Sequence, residues 1–95
     1  MNYKLRPGVV MVRICDVNIL AATREIWDQC PQIRPLPFKW YLGCSMMALG
    51  RSSEVSLRTI SKVLGKAMEE LHQQYDPIFA KLCEEGFLVP AEEET

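Results

Sequence analysis

Apolar residues near the start of the chain fall into two short runs, Val9-Val10-Met11-Val12-Arg13-Ile14-Cys15 and Ile19-Leu20-Ala21-Ala22-Thr23. The first is rich in β-branched side chains, which suit a pleated backbone better than a helix. The two runs predict a pair of antiparallel strands. Asp16-Val17-Asn18 between them predicts the hairpin turn, because Asn and Asp tolerate left-handed backbone and bond their own main chain. Arg6-Pro7-Gly8 marks a turn ahead of the first strand. Arg24 to Pro31 reads as a loop or a single helical turn carrying Trp27.

The pattern changes at Gln32-Ile33-Arg34-Pro35-Leu36-Pro37. Prolines at alternate positions forbid helix and hold the backbone extended. Proline donates nothing to a ladder, so a strand here belongs at a sheet edge. From Phe38 to Leu49 the apolar residues 38, 41, 42, 46 and 49 share one helical face, and Gly50 is a natural stop. Pro37 suits the first turn of this helix.

Ser52 and Ser53 can cap a second helix. Leu57, Ile60, Leu64, Ala67, Met68 and Leu71 carry it to about Gln74, with Gly65 weakening it by about 1 kcal/mol relative to alanine. Asp76-Pro77 predicts the start of a third helix, with Ile78, Phe79, Leu82 and Cys83 on one face and Gly86 at its end. Phe87-Leu88-Val89 then folds back on the core and Pro90 stops it. Three strands followed by three helices predict an α+β fold, a three-stranded antiparallel sheet with three helices after it.

Ninety-five residues make one domain, and a hydrophobic share of 48% is ordinary for a folded chain. Net charge is −1, but it is unevenly spread. From Glu69 onward the acids Glu69, Glu70, Asp76, Glu84, Glu85, Glu92, Glu93 and Glu94 face one base, Lys81, whereas Arg51, Arg58, Lys62 and Lys66 cluster earlier. Phosphate neutralisation supplies most non-specific nucleic-acid affinity, so this balance argues against such a partner. No stretch approaches the ~18 consecutive apolar residues of a membrane span. The N-terminus lacks an apolar signal region, so a cytoplasmic protein is expected.

Candidate chemistry is sparse. Cys15, Cys30, Cys44 and Cys83 show no CxxC, and His72 is the one histidine. A reducing compartment makes the thiols small buried hydrophobes rather than disulfides or zinc ligands. There is no glycine-rich phosphate loop and no GxSxG. His72 reads as an exposed helix residue beside Glu69 and Gln73. Glu84 and Glu85 are adjacent on a helix and point in different directions. No catalytic residue, metal or cofactor is expected. Arg58, Lys62 and Lys66 are four apart and stack on one helix face, either as solvated surface or as a docking patch for an acidic peptide or partner enzyme. Trp27, in a loop, is the better interface candidate of the two tryptophans, and Trp40 is expected in or beside the core.

Five segments, in this order and spacing, carry a resemblance: Lys4-Leu5-Arg6-Pro7-Gly8-Val9-Val10, Ile19-Leu20, Cys30-Pro31-Gln32-Ile33-Arg34-Pro35-Leu36, Gly50-Arg51-Ser52, and Asp76-Pro77-Ile78-Phe79-Ala80-Lys81-Leu82-Cys83-Glu84-Glu85-Gly86-Phe87-Leu88. From Leu5 to about Val89 the chain resembles the PqqD-like proteins, also called RiPP recognition elements. It departs from them in having Pro37 where a polar cap is usual, and in a longer stretch from Ser53 to Tyr75.

The resemblance implies a winged helix-turn-helix over residues 1–90; by composition, residues 91–95 are expected to be an acidic disordered tail. It implies binding of the leader of a ribosomally made precursor peptide. The leader would add as a strand beside the third strand, in a groove against the third helix, and a modifying enzyme, often a radical S-adenosylmethionine enzyme, would act on the rest of the peptide. The leader-binding residues are then expected to be Gln32, Ile33, Arg34 and Leu36 on the strand and Ile78, Phe79, Lys81 and Leu82 on the helix. Pairing would centre on Cys30 to Arg34, because Pro35 limits the ladder. Some of the helix residues must be core instead, since one face cannot serve both. A winged-helix DNA-binding regulator and an enzyme-docking subunit are the alternatives. Either a monomer or a homodimer joined at the edge strand is compatible with the sequence.

Overall fold

The computed structural model describes residues 2–29 and 33–91. A short strand, β1 (Tyr3–Leu5), precedes the hairpin of β2 (Val9–Ile14) and β3 (Val17–Ala22), and β4 (Ile33–Leu36) pairs antiparallel with β3. The three-stranded sheet has the order β2-β3-β4, which puts β4 at an edge. The hairpin turn falls on Cys15-Asp16 rather than on residues 16–18. Both carry positive φ, 48° and 65°, and Ile14 faces Val17 across the ladder. A two-residue turn of this kind needs left-handed backbone at both central positions, and it lets the strands pair right up to the turn.

One face of the sheet packs inward through Val9, Leu20, Ala22 and Leu36, all buried. The other face is also apolar. Its rows are Val10-Ala21-Ile33, Val12-Ile19-Pro35 and Ile14-Val17. Among the described residues no helix covers it: Val10, Val12, Ile14, Val17 and Ile33 are 41, 37, 56, 42 and 59% exposed.

Helix α1 (Phe38–Ser45) follows Pro37 and is shorter than expected. It gives way to a 3-10 turn at Met47–Leu49 that stops at Gly50, whose φ of 88° closes a bond from its N–H to the Met47 carbonyl. Ser52 caps α2 (Ser53–Leu64), its hydroxyl accepting from the Val55 N–H. The second and third helices divide elsewhere than expected. Gly65 is left-handed (φ 67°) and ends α2, and α3 (Met68–Glu84) runs unbroken through Asp76 and Pro77. Asp76-Pro77 is therefore helix interior, not a helix start. The buried face Leu71, Tyr75, Ile78, Phe79 and Leu82 is continuous across the proline. Packing along that face outweighs the one hydrogen bond that Pro77 cannot make.

α3 ends with Phe87 N–H bonding the Leu82 carbonyl and Gly86 N–H bonding the Cys83 carbonyl, with Gly86 at φ 93°. This pair of bonds is a Schellman end, and it turns the chain back on itself. Phe87 and Leu88 enter the core, as the sequence expects, and β5 (Leu88–Pro90) pairs with β1. Ala91 donates to the Asn2 carbonyl at 3.0 Å, so it belongs to this ribbon rather than to a loose tail. Residues 92–95 of that expected tail lie outside the described residues.

The helices meet closely at Gly43. A Cβ there would stand 2.8 Å from the Tyr75 ring and 3.1 Å from the Phe79 ring. The Ser56 hydroxyl donates to the Gly43 carbonyl at 2.7 Å, which fixes α2 against α1.

Candidate functional site

The outer edge of β4 is the feature from which a site can be built. β4 pairs on one side with β3, and among the described residues no strand takes its other side. Unpaired N–H and C=O groups on an edge are a template for another extended chain. Pro35 removes one donor from this four-residue strand, so pairing beyond it is limited.

Arg34 joins this edge to the end of α3. Its Nε lies 3.3 Å from Oε1 of Glu85, the residue that caps α3, and both side chains are largely shielded. The contact is a charge pair without an aligned hydrogen bond, since Nε has no hydrogen-bond partner. The guanidinium also sits 4.8 Å from the centre of the Trp40 ring, a cation–π contact. Trp40 itself packs half-buried against the core, as expected. Counting back from Glu85 by helical spacing, Lys81 and Ile78 lie on the same side of α3, one and two turns earlier. The Arg34–Glu85 contact thus ties β4 to the side of α3 that carries Lys81 and Ile78.

The other expected leader-binding residues separate by depth. Ile33 is 59% exposed and belongs to the open sheet face, and Lys81 is exposed. Ile78 is at the rim of the core, 9% exposed. Leu36, Phe79 and Leu82 are core, at 5, 0 and 0%. The expectation that they line a groove does not fit this structure, because their surface is already spent on packing. Gln32 lies outside the described residues, as do Cys30 and Pro31, so the first part of the expected pairing segment does too.

Of the expected docking stripe, Arg58 and Lys62 are exposed on α2, but Lys66 lies past the Gly65 turn and is not on that helix. Trp27 is 45% exposed. His72 is not the exposed residue expected from its neighbours. Its Nε2 lies 3.2 Å from Glu54 of α2 and its Nδ1 3.0 Å from Asp76 of α3. The Asp76 contact depends on α3 being continuous, and the Glu54 contact on tertiary packing.

Two hollows lie elsewhere on the described surface. An open cleft of about 440 Å³ between the hairpin and α1 is lined by Arg13, Asn18, Tyr41 and Ser45 among others. An apolar slot of about 160 Å³ lies between α1 and α2, bounded by Leu42, Met46, Ile60 and Val63. Neither is lined by a histidine, cysteine or carboxylate. Among the described residues no three His, Cys, Asp or Glu side chains are grouped to hold a metal ion, and no helix is long and apolar enough to cross a membrane. Cys44 is buried and its thiol is pushed up to about 12 by desolvation, so it stays protonated. Cys15 is exposed at the hairpin tip.

Comparison with protein-family models, with curated proteins and with solved structures finds no match to this chain. The α+β architecture, a three-stranded antiparallel sheet and three helices, therefore rests on the structure itself.

Proposed function

We propose that this chain is a non-catalytic peptide-binding domain of the PqqD-like, winged helix-turn-helix type. It holds the leader of a ribosomally made precursor peptide by strand addition and presents it to a modifying enzyme, often a radical S-adenosylmethionine enzyme. The observation that carries this reading is the unpaired outer edge of β4, tied by Arg34 to the end of α3. A strand added there would gain main-chain bonds from β4 and rest its alternate side chains on α3. Gln32, Ile33 and Arg34 would guide it on the strand side. Ile78 and Lys81 would meet it on the helix side, while Leu36, Phe79 and Leu82 support the surface from beneath. An acidic leader side chain could replace Glu85 as the partner of Arg34, or pair with Lys81.

The helix-turn-helix part of the reading is supported by α2 and α3, joined by the three residues Gly65–Ala67. The β2–β3 hairpin would be the wing. The DNA-binding alternative suffers from the charge of α3, where Glu69, Glu70, Asp76 and Glu84 stand against Lys81. The exposed pair Arg58 and Lys62 keeps enzyme docking as a role that can coexist with peptide binding.

The test is calorimetry with the leader region of a short precursor peptide encoded beside this protein's gene. Binding at roughly micromolar Kd is expected, weakened at least about tenfold by Ile33→Asp and by Lys81→Glu. Both positions are exposed, so both variants should keep a native circular dichroism spectrum. Full affinity in both variants, or no binding by the unaltered chain, would sink the proposal.

A further inference from the structure

Apart from Ile33 at its β4 edge, the open face of the β2-β3-β4 sheet takes no part in peptide binding as proposed. An antiparallel sheet with one solvated face normally alternates apolar-in with polar-out. This one does not. Val10, Val12, Ile14, Val17, Ile19 and Ile33 point outward together with Ala21 and Pro35, and no charged or hydrogen-bonding side chain interrupts them. Apolar residues on both faces, here with Val9, Met11, Leu20, Ala22 and Leu36 on the inner one, are the composition of a sheet buried on both sides. Five of the outward residues are nonetheless 37–59% exposed.

We propose that this face is the interface of a homodimer, in which two copies stack their sheets face to face. Three strands about 4.8 Å apart, two of six residues and one of four at about 3.4 Å each, give a face of roughly 14 by 20 Å at its widest. Two such faces with their rims would remove on the order of 1,000 Å² in total, the lower end of what specific association needs. That scale fits a weak, reversible dimer. Charge favours a second copy over a charged partner. The face is neutral, and a chain of net charge −1 meets little repulsion from its twin. A two-fold axis through the face makes the patch its own complement, and two twisted sheets stack with their strands about 30° apart. The arrangement leaves the β4 edge of each copy open, so it does not depend on the peptide-binding proposal.

Sedimentation equilibrium on the full chain, in reductant so that Cys15 cannot cross-link the copies, tests this. The dimer should appear between about 1 µM and about 1 mM protein. Val12→Lys and Ile14→Lys each place an ammonium on the face while leaving the backbone ladder intact, and each should weaken the dimer at least about tenfold. Glu69→Gln, at the exposed start of α3, should leave it unchanged. An unaltered chain that stays monomeric throughout this range would overturn the proposal. So would a dimer that persists at full strength in both lysine variants with native circular dichroism, since that would place the contact on a strand edge or elsewhere.

Discussion

Cys44 shows how far one residue's behaviour is set by depth. It has no exposed surface, and burial lifts its thiol from an ordinary 9.0 to about 12. Burial raises the phenols of Tyr3 and Tyr75 as well. The unfolded chain releases these protons near their ordinary values, whereas the folded chain keeps them. Above pH 9 the folded state therefore binds more protons than the unfolded one, and stability falls as pH rises toward 12. Well below pH 9 the slope from Cys44 vanishes, because the thiol is protonated in both states. Urea unfolding on either side of pH 9 should show this decline, and Cys44→Ala should make it shallower by up to about 1.4 kcal/mol per pH unit. An identical decline in the variant would contradict the assignment. The burial of Cys44 follows from the expectation that these thiols behave as small hydrophobes, but the exposure of Cys15 does not. Its place in a two-residue turn depends on register, which the run of apolar residues alone does not fix.

Among the elements, α2 and α3 divide where the hydrophobic spacing is least informative. Leu64, Ala67, Met68 and Leu71 keep a helical period straight across the break, so the pattern predicts one helix where the chain makes a turn. The physical signal is Gly65, which supplies the left-handed residue that ends α2. The sequence shows Gly65 as a weak point and Asp76-Pro77 as a start, and packing reverses both roles. Pro77 then sits inside α3, exposed, where it cannot donate to the Gln73 carbonyl. Pro77→Ala should restore that bond and raise stability by about 1–3 kcal/mol, read as a higher urea midpoint. A lower midpoint would mean that α3 needs the proline's geometry to fit its neighbours. The strands are more legible. Short β-branched runs locate β2 and β3, and the prolines place β4 at an edge, as it is. The β1–β5 ribbon escapes detection, because three-residue strands show no period to read.

For the molecule as a whole, the order of strands and helices can be read from the sequence, but the depth of each residue cannot. The candidate site shows the difference. The proline-bounded edge is visible in Ile33-Arg34-Pro35-Leu36, yet which residues of α3 face it depends on how the helix rolls against the core. That roll buries Phe79 and Leu82 and leaves Lys81 outside. The partners of Arg34, Trp40 and Glu85, come together only through the tertiary fold. The open sheet face, by contrast, was available in the sequence as alternate apolar positions, once the register assigned them to one side. The proposed peptide edge and the proposed dimer face thus belong to the same three strands.

The edge is the central claim, and amide exchange and chemical shifts of the nitrogen-labelled chain test it most directly. The titrant is the leader region of the precursor peptide encoded beside the gene. Pairing at β4 should slow exchange at the Ile33 amide and shift resonances along β4 and at Ile78, Lys81 and Glu85, with Arg58 and Lys62 unmoved. Shifts confined to α2 or to the Val12 and Ile14 side of the sheet, with the β4 amides unchanged, would contradict it.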